Sequence, residues 1–205
     1  MSVTKLDLRK TLKPLYSPRA GEVELVTVPA MKYIMVDGSG APEGDSFSQA
    51  IGAMYNLAYT MKFRSKKLLK KDYNVMALEG LWWVKGKRFD LAKREDWLWT
   101  LMIIQPDFVS DKMFAEALDE AKRGKNPPGI EKARLESFKE GLCVQTMHVG
   151  PYSTETESIS RLDAFAREKG YKMVGKHHEI YLGDPRRAAP SKLRTIIRHP
   201  VAKAP

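Results

Sequence analysis

An α+β fold made of a duplicated β-α-β-β unit is the prediction that the sequence supports, and three observations carry it. Strand-like and helix-like hydrophobic patterns follow the order β-β-α-β-β, a helical connector, then β-β-α-β-β again. The segment VELVTVPAMKYIMVDGSG, ending at Gly40, lies over ARLESFKEGLCVQTMHVG, ending at Gly150, so a turn glycine recurs at an offset of 110. Past the helices LEGLW lies over HEIYL, and Glu79 falls on Glu179 at an offset of 100. The first repeat then covers residues 22–107, a connector and linker 108–130, and the second repeat 131–201, all within one domain of 205 residues.

The elements follow in order. Residues 1–20 carry a short amphipathic stretch, LDLRKTLKPLY, broken by Pro14 and ended at Ser17-Pro18. Residues 22–28 and 32–37 read as two strands separated by Pro29. A turn at Gly38-Ser39-Gly40-Ala41-Pro42 leads to a helix capped by Asp45 or Ser46, with Ile51, Met54, Tyr55, Ala58 and Met61 at helical spacing. Residues 74–84 read as a strand, 85–96 as a charged hairpin and 97–105 as a strand that Pro106 ends. Ser110-Asp111 caps a helix with Met113, Phe114, Ala117, Leu118 and Ala121 on one face, and GKNPPG at 124–129 is the linker. Residues 133–140 and 142–148 read as two strands, 153–168 as a helix closed by Gly170, 171–182 as a strand and 193–201 as the last strand.

Composition narrows the function classes. The single cysteine, Cys143, excludes an internal disulfide and a multi-cysteine zinc site. The longest apolar stretch, residues 98–104, is far short of a membrane span, and the N-terminus lacks the apolar core of a signal peptide. A reduced, cytoplasmic protein with no membrane partner is expected. The net charge of +10 favours acidic partners, but the basic residues are dispersed over 64–71 (RSKKLLKK), 122–125 and 186–203. They read as solvated loops and helix ends, with a polyanion site as the alternative. No helix-turn-helix, zinc-finger or RNP-type motif is present.

All four tryptophans, Trp82, Trp83, Trp97 and Trp99, fall on two consecutive strands. They serve either as sheet core or as an aromatic wall for a flat ligand. Glu79 and Glu179 each interrupt an apolar or aromatic strand. By alternation Glu79 shares a face with Leu81 and Trp83, and Glu179 with His177 and Tyr181. A carboxylate inside a half-buried sheet is costly unless it is paired or meets a cation. His177 and His178 are adjacent and point to opposite faces, so no shared metal site is expected, and no cofactor motif is present. Trp83 and Trp99 are the expected aromatic walls, with Tyr55 of the first helix beside them. The hairpin register also permits Trp82 to face inward.

The segments YSPRAGEVELVTVPAMKYIMVDGSGAP, ALEGLWWV, WLWTLMIIQPDFVS and HEIYLGDPRRAAPSKLRTIIRHPV resemble the GyrI-like small-molecule-binding proteins, in particular their stand-alone branch. The resemblance spans nearly the whole chain. It implies two repeats related by a pseudo-twofold, a concave antiparallel sheet flanked by helices, and binding of bulky aromatic, often cationic, compounds in a central groove. A glutamate of the last repeat would be the buried counter-charge, and Glu179 of HEIYL matches it. Some stand-alone members hydrolyse strained cyclopropane rings of DNA-alkylating natural products. Glu79, Trp83, Glu179 and Tyr181 are the positions that match their acidic and aromatic pocket residues. Many relatives carry a helix-turn-helix domain, for which this chain has no room, so no direct DNA-binding domain is expected.

Three functions are compatible with these residues. The first is a module that binds lipophilic aromatic small molecules, giving multidrug or xenobiotic protection, with Glu179, Tyr181, Glu79, Trp83, Trp99 and Tyr55 lining the site. The second is a hydrolase in which Glu179 or Glu79 is the general base, with Tyr181 or the second carboxyl group donating a hydrogen bond. The third is a regulator that uses the basic surface.

Overall fold

The computed structural model describes residues 4–86 and 94–204. The expected charged hairpin lies partly outside these residues. In chain order the elements are β1 (Thr4–Leu6), α1 (Leu8–Thr11), α2 (Lys13–Tyr16), β2 (Val23–Ser39), α3 (Asp45–Arg64), β3 (Lys71–Tyr73), β4 (Leu78–Trp83), β5 (Leu98–Gln105), α4 (Asp111–Arg123), β6 (Arg134–Val149), α5 (Glu155–Glu168), β7 (Tyr171–Met173), β8 (His177–Tyr181) and β9 (Arg194–Lys203). The order β2-α3-β3-β4-β5 is repeated as β6-α5-β7-β8-β9. The chain is α+β with the expected duplication.

Local chemistry explains where the elements depart from expectation. Pro29 does not split β2, because the ladder with β5 begins only at Lys32 and Pro29 owes it no N–H. Gly141 does not split β6; at φ +83° it adopts a left-handed conformation that bends the strand without ending it. The run 171–182 is two strands. Gly175 at φ +71° separates β7 from β8, and both pair with successive stretches of β9. Ser110 caps α4 as expected, its Oγ accepting from the Met113 N–H at 3.2 Å.

The chain forms two compact units. The first comprises Met1–Thr11, Met31–Met76 and Trp83–Phe138. Here β2 pairs antiparallel with β5 in the register Tyr33↔Ile104, Val36↔Leu101 and Gly38↔Trp99. The buried face of α3 (Phe47, Ala50, Met54, Leu57 and Met61) packs against β5, each fully buried large side chain contributing about 1.5–3 kcal/mol. Arg64 ties α3 to α4 through Glu116 and Glu120, at 2.6 Å each.

The second unit comprises Leu12–Ala30, Ala77–Trp82 and Lys139–Pro205. Its strands lie in the order β4-β8-β9-β6, all antiparallel, with β7 beside the end of β9. One face is covered by α5, where Leu162 and Ala166 pack with Val144, Ile197 and Val201. The opposite face is covered by the α2 segment, whose Leu15 and Tyr16 are buried. No helix of the described residues is long and apolar enough to cross a membrane.

Candidate functional site

Strand β8, HHEIY, distributes its polar side chains between the two faces of the second unit's sheet. His177, Glu179 and Tyr181 point to the α5 side, and His178 and Ile180 to the α2 side. The register Gly80↔Glu179 and Glu79↔Ile180 then decides what each glutamate meets on β4. Directly paired residues share a face, so Glu179 lies with Gly80, and Glu79 lies with Ile180 on the reverse side.

On the α5 side the Glu179 carboxylate is held at both oxygens. Oε1 lies 3.0 Å from His177 Nε2, and Oε2 accepts from the Tyr181 hydroxyl at 2.7 Å. The Trp82 indole N–H donates to the same hydroxyl at 3.0 Å. Tyr152 stands edge-on to Tyr181, with ring centroids 5.9 Å apart. Gly80 makes room for this group. A Cβ there would lie 2.8 Å from Trp82 Nε1 and 3.1 Å from the Tyr181 hydroxyl. Glu179 keeps 12% of its side-chain surface accessible, Tyr181 is half-buried and Tyr152 is exposed, so the cluster reaches the surface along the tyrosines.

A second carboxyl completes the cluster, and it is Glu155. The turn at Gly150-Pro151 carries the chain from β6 into α5, whose first residue is Glu155, only 2% exposed. Burial, and then the neighbouring Glu179 charge, push its pKa up to about 9. Burial also works to raise Glu179, but hydrogen bonding from His177 and Tyr181 outweighs it and holds that carboxyl below its ordinary value. At neutral pH the pair therefore consists of a protonated Glu155 and an ionised Glu179. The Tyr181 phenol is raised by burial and by both carboxyls, and stays protonated. His199, whose ring centroid is 6.1 Å from that of His177, is lowered by burial to about 4 and is neutral.

On the α2 side Glu79 is fully buried, and both of its oxygens are engaged. Oε1 accepts from the Tyr16 hydroxyl at 2.6 Å, and Oε2 lies 3.1 Å from His178 Nε2. His178 Nδ1 lies 3.0 Å from Glu140 Oε2, and Arg198 Nη1 donates to that oxygen at 3.4 Å. Arg198 also donates to Gln145 Oε1 at 3.0 Å and to the Leu15 carbonyl at 2.6 Å. Burial works to lower the His178 pKa, but Glu140 and Glu79 overcome it and raise it to about 9. His178 is thus an imidazolium bridging two carboxylates, and with Arg198 the set is neutral.

The sequence-predicted residues therefore separate. Glu179 and Tyr181 are brought together. Glu79 shares no sheet face with them, so the expected pairing of Glu79 with Glu179 as two neighbouring carboxyls does not form; a one-residue offset between β4 and β8 puts them on opposite sides. Trp99 is 1% exposed in the first unit, where its ring closes over Gly38 and meets Phe47 edge-on at 5.3 Å. Trp83 is half-buried at the end of β4 in the first unit. Tyr55 is half-buried on α3, 6.5 Å from Tyr59. Sequence reasoning left Trp82 open as the alternative to Trp83 because register was unknown, and Trp82 is the one beside Tyr181. It missed Glu155, because an acid in the first turn of a helix reads as an ordinary partner of the helix dipole.

The GyrI-like small molecule binding domain matches residues 21–202. A solved structure of a hydrolase from Listeria innocua is 40% identical, with a TM-score of 0.89, covering 97% of this chain and 100% of the other. An uncharacterized conserved protein from Listeria innocua is 39% identical, with a TM-score of 0.90, covering 96% of this chain and 100% of the other. The C-terminal domain of EcmrR shares the fold at 13% identity and a TM-score of 0.55, covering 89% of this chain and 98% of the other. No curated protein matches the chain. With the family's domain matched over nearly the full length, the chain belongs to the GyrI-like small-molecule-binding family.

Proposed function

We propose that the Glu179 cluster is a hydrolytic site for bulky, electrophilic aromatic small molecules, with the strained cyclopropane of the DNA-alkylating class as substrate. One observation carries the reading: an ionised carboxylate and a protonated carboxyl sit side by side at one end of a half-exposed tyrosine pair. Environments that push two carboxyl pKa values apart mark a base and an acid. The hydrolase from Listeria innocua at 40% identity supports the same class of chemistry.

In this reading Glu179 takes a proton from water as the water oxygen bonds to the ring methylene. The strained C–C bond breaks, and its electron pair passes through the conjugated system to the carbonyl oxygen. That oxygen becomes a phenol by taking the proton of Glu155. Tyr181, steadied by the buried Trp82, holds Glu179 in place and, with Tyr152, offers aromatic surface to the substrate. The product is the ring-opened alcohol, one water heavier than the substrate.

A second reading, capture of aromatic cations without turnover, is favoured by the ionised Glu179 carboxylate beside the Tyr181 and Tyr152 rings. One experiment separates the two. The protein is incubated with a cyclopropane-bearing alkylator and the product is analysed by mass spectrometry, in parallel with titrations of a cationic and a neutral dye of similar shape. Catalytic gain of one water, lost in Glu179→Gln, supports the hydrolase. Tight preference for the cationic dye with no turnover leaves a binding protein.

A further inference from the structure

The basic segment 64–71 lies outside the Glu179 cluster, and its surroundings are unusual for a surface helix. Between Asp45 and Lys62 the α3 sequence contains no charged residue over 16 positions. Its outward side carries Tyr59 and Phe63, stacked at 6.2 Å and exposed to 47% and 59%. The helix then runs into a π turn, Ser65–Leu69. The six residues KKLLKK at 66–71 are all exposed, with Leu68 at 59% and Leu69 at 46%. Four of the eight exposed large apolar side chains among the described residues thus fall between positions 59 and 69, which marks a patch rather than scatter.

The turn is built, not frayed. Ser65 Oγ donates to the Lys71 carbonyl at 2.7 Å, Lys70 reverses the chain in a left-handed conformation at φ +56°, and buried Tyr73 anchors the following strand through Gln105. Its charges are unbalanced. Lys62 and Lys66 share Asp72, and Arg64 takes Glu116 and Glu120. Among the described residues Lys67, Lys70 and Lys71 have no carboxylate partner; Lys70 donates only to the Lys67 carbonyl at 3.0 Å and Lys71 lies 4.8 Å over the Phe108 ring. Six cations therefore face three carboxylates.

We propose that this end of α3 docks on the surface of an anionic phospholipid bilayer, with Leu68 and Leu69 entering the acyl boundary and Lys67, Lys70 and Lys71 meeting the headgroup phosphates. Leucines between lysine pairs fit that interface, because lysine stems lie along the apolar region while the ammonium groups stay in the headgroup layer. The excess positive charge complements an anionic surface. It opposes a second copy of the chain, since a self-complementary contact would set the lysines of the two copies against one another. Single-stranded nucleic acid fits less well, because the two aromatic rings stack on each other and leucine has no π-face for a base. The sequence had suggested no membrane partner because no span is long enough; docking on a surface needs none. The proposal does not depend on the chemistry of Glu179.

The test is co-sedimentation of the full chain with vesicles of phosphatidylcholine alone and of phosphatidylcholine mixed with phosphatidylglycerol. Binding to the mixed vesicles only, weakened by salt, is expected. The triple variant Lys67→Gln, Lys70→Gln, Lys71→Gln should lose about five-fold in partitioning per lysine removed. The double variant Leu68→Ser, Leu69→Ser should lose most of the remainder, with near-ultraviolet circular dichroism confirming its fold. Because the lysines are exposed, their variant keeps the test valid if the leucine variant does not fold. Absence of sedimentation overturns the proposal, as do equal sedimentation of wild type and lysine variant, displacement by a single-stranded oligonucleotide that binds through the same lysines, or self-association abolished by the leucine changes.

Discussion

Glu79 and Glu179 lie on neighbouring strands of one sheet and at matching places of the repeat, yet their surroundings have opposite character. Glu79 is enclosed by Tyr16, His178 and, through His178, Glu140 and Arg198, with every oxygen engaged and every charge balanced. Glu179 is held by His177 and Tyr181 but adjoins a second buried carboxyl that carries a proton it is poised to give up. One arrangement is closed and holds structure. The other sets an ionised carboxyl against a protonated one and keeps a path to the surface, which suits chemistry. A buried glutamate alone announces neither role; what decides is whether its neighbours cancel its charge or confine it.

The comparison breaks most readily at Arg198. Arg198→Met should cost about 3–5 kcal/mol in urea unfolding, because Glu140 loses one of its two cations inside the sheet. If the loss is under about 1 kcal/mol, the α2 face is not a closed ionic network. Glu179→Gln should behave oppositely, with little change in stability and a fall in turnover of about 10²–10⁴-fold, the usual share of a general base. Gly80→Ala should cost about 1–3 kcal/mol and impair the site, since the added methyl group drives into Trp82 and the Tyr181 hydroxyl. Retention of full activity there would mean that the Trp82–Tyr181 contact is dispensable. Trp82→Phe, which removes the N–H donor to Tyr181 and shrinks a buried ring, should cost about 1–3 kcal/mol.

The pH dependence of stability sharpens the same contrast. Glu155 and His178 both bind protons more tightly folded than unfolded, between their ordinary values of 4.5 and 6.5 and about 9. The native state therefore holds extra protons in that window, and unfolding free energy should fall as pH rises through it. The His178 contribution is complete below 6.5 and lost on passing about 9. Denaturant titrations across the range should show this decline, with Glu155→Gln removing the portion that begins near 4.5. A flat profile from 6.5 to 9 would contradict the bridging imidazolium.

The element order, the helix faces and the Glu179–Tyr181 pair were legible because each follows from local periodicity. The strand breaks were not, because Pro29 and Gly141 end a strand only if the ladder needs them at that point, and partners are set by tertiary pairing. The sidedness of Glu79 was hidden for the same reason: one residue of offset between β4 and β8 reverses every side chain, and nothing in ALEGLWWV or HEIYL fixes it. Glu155 lay beyond reach because its character comes from Glu179, 24 positions away in sequence. The leucines of KKLLKK were visible from the start, but their exposure is a tertiary fact.

The interleaving of the two compact units has a consequence for how the chain is made. Residues 77–82 belong to the second unit although they precede its C-terminal strands by more than fifty positions, and Gly80 finds Glu179 only across 98 residues of intervening chain. During synthesis β4 must wait, unpaired along that edge, until β8 has emerged. Cutting the chain in GKNPPG would part the sequence repeats while leaving each fragment without segments that the second unit requires. Such long-range pairing belongs to slow folders, and it makes completion of the C-terminal strands the event that commits the whole molecule.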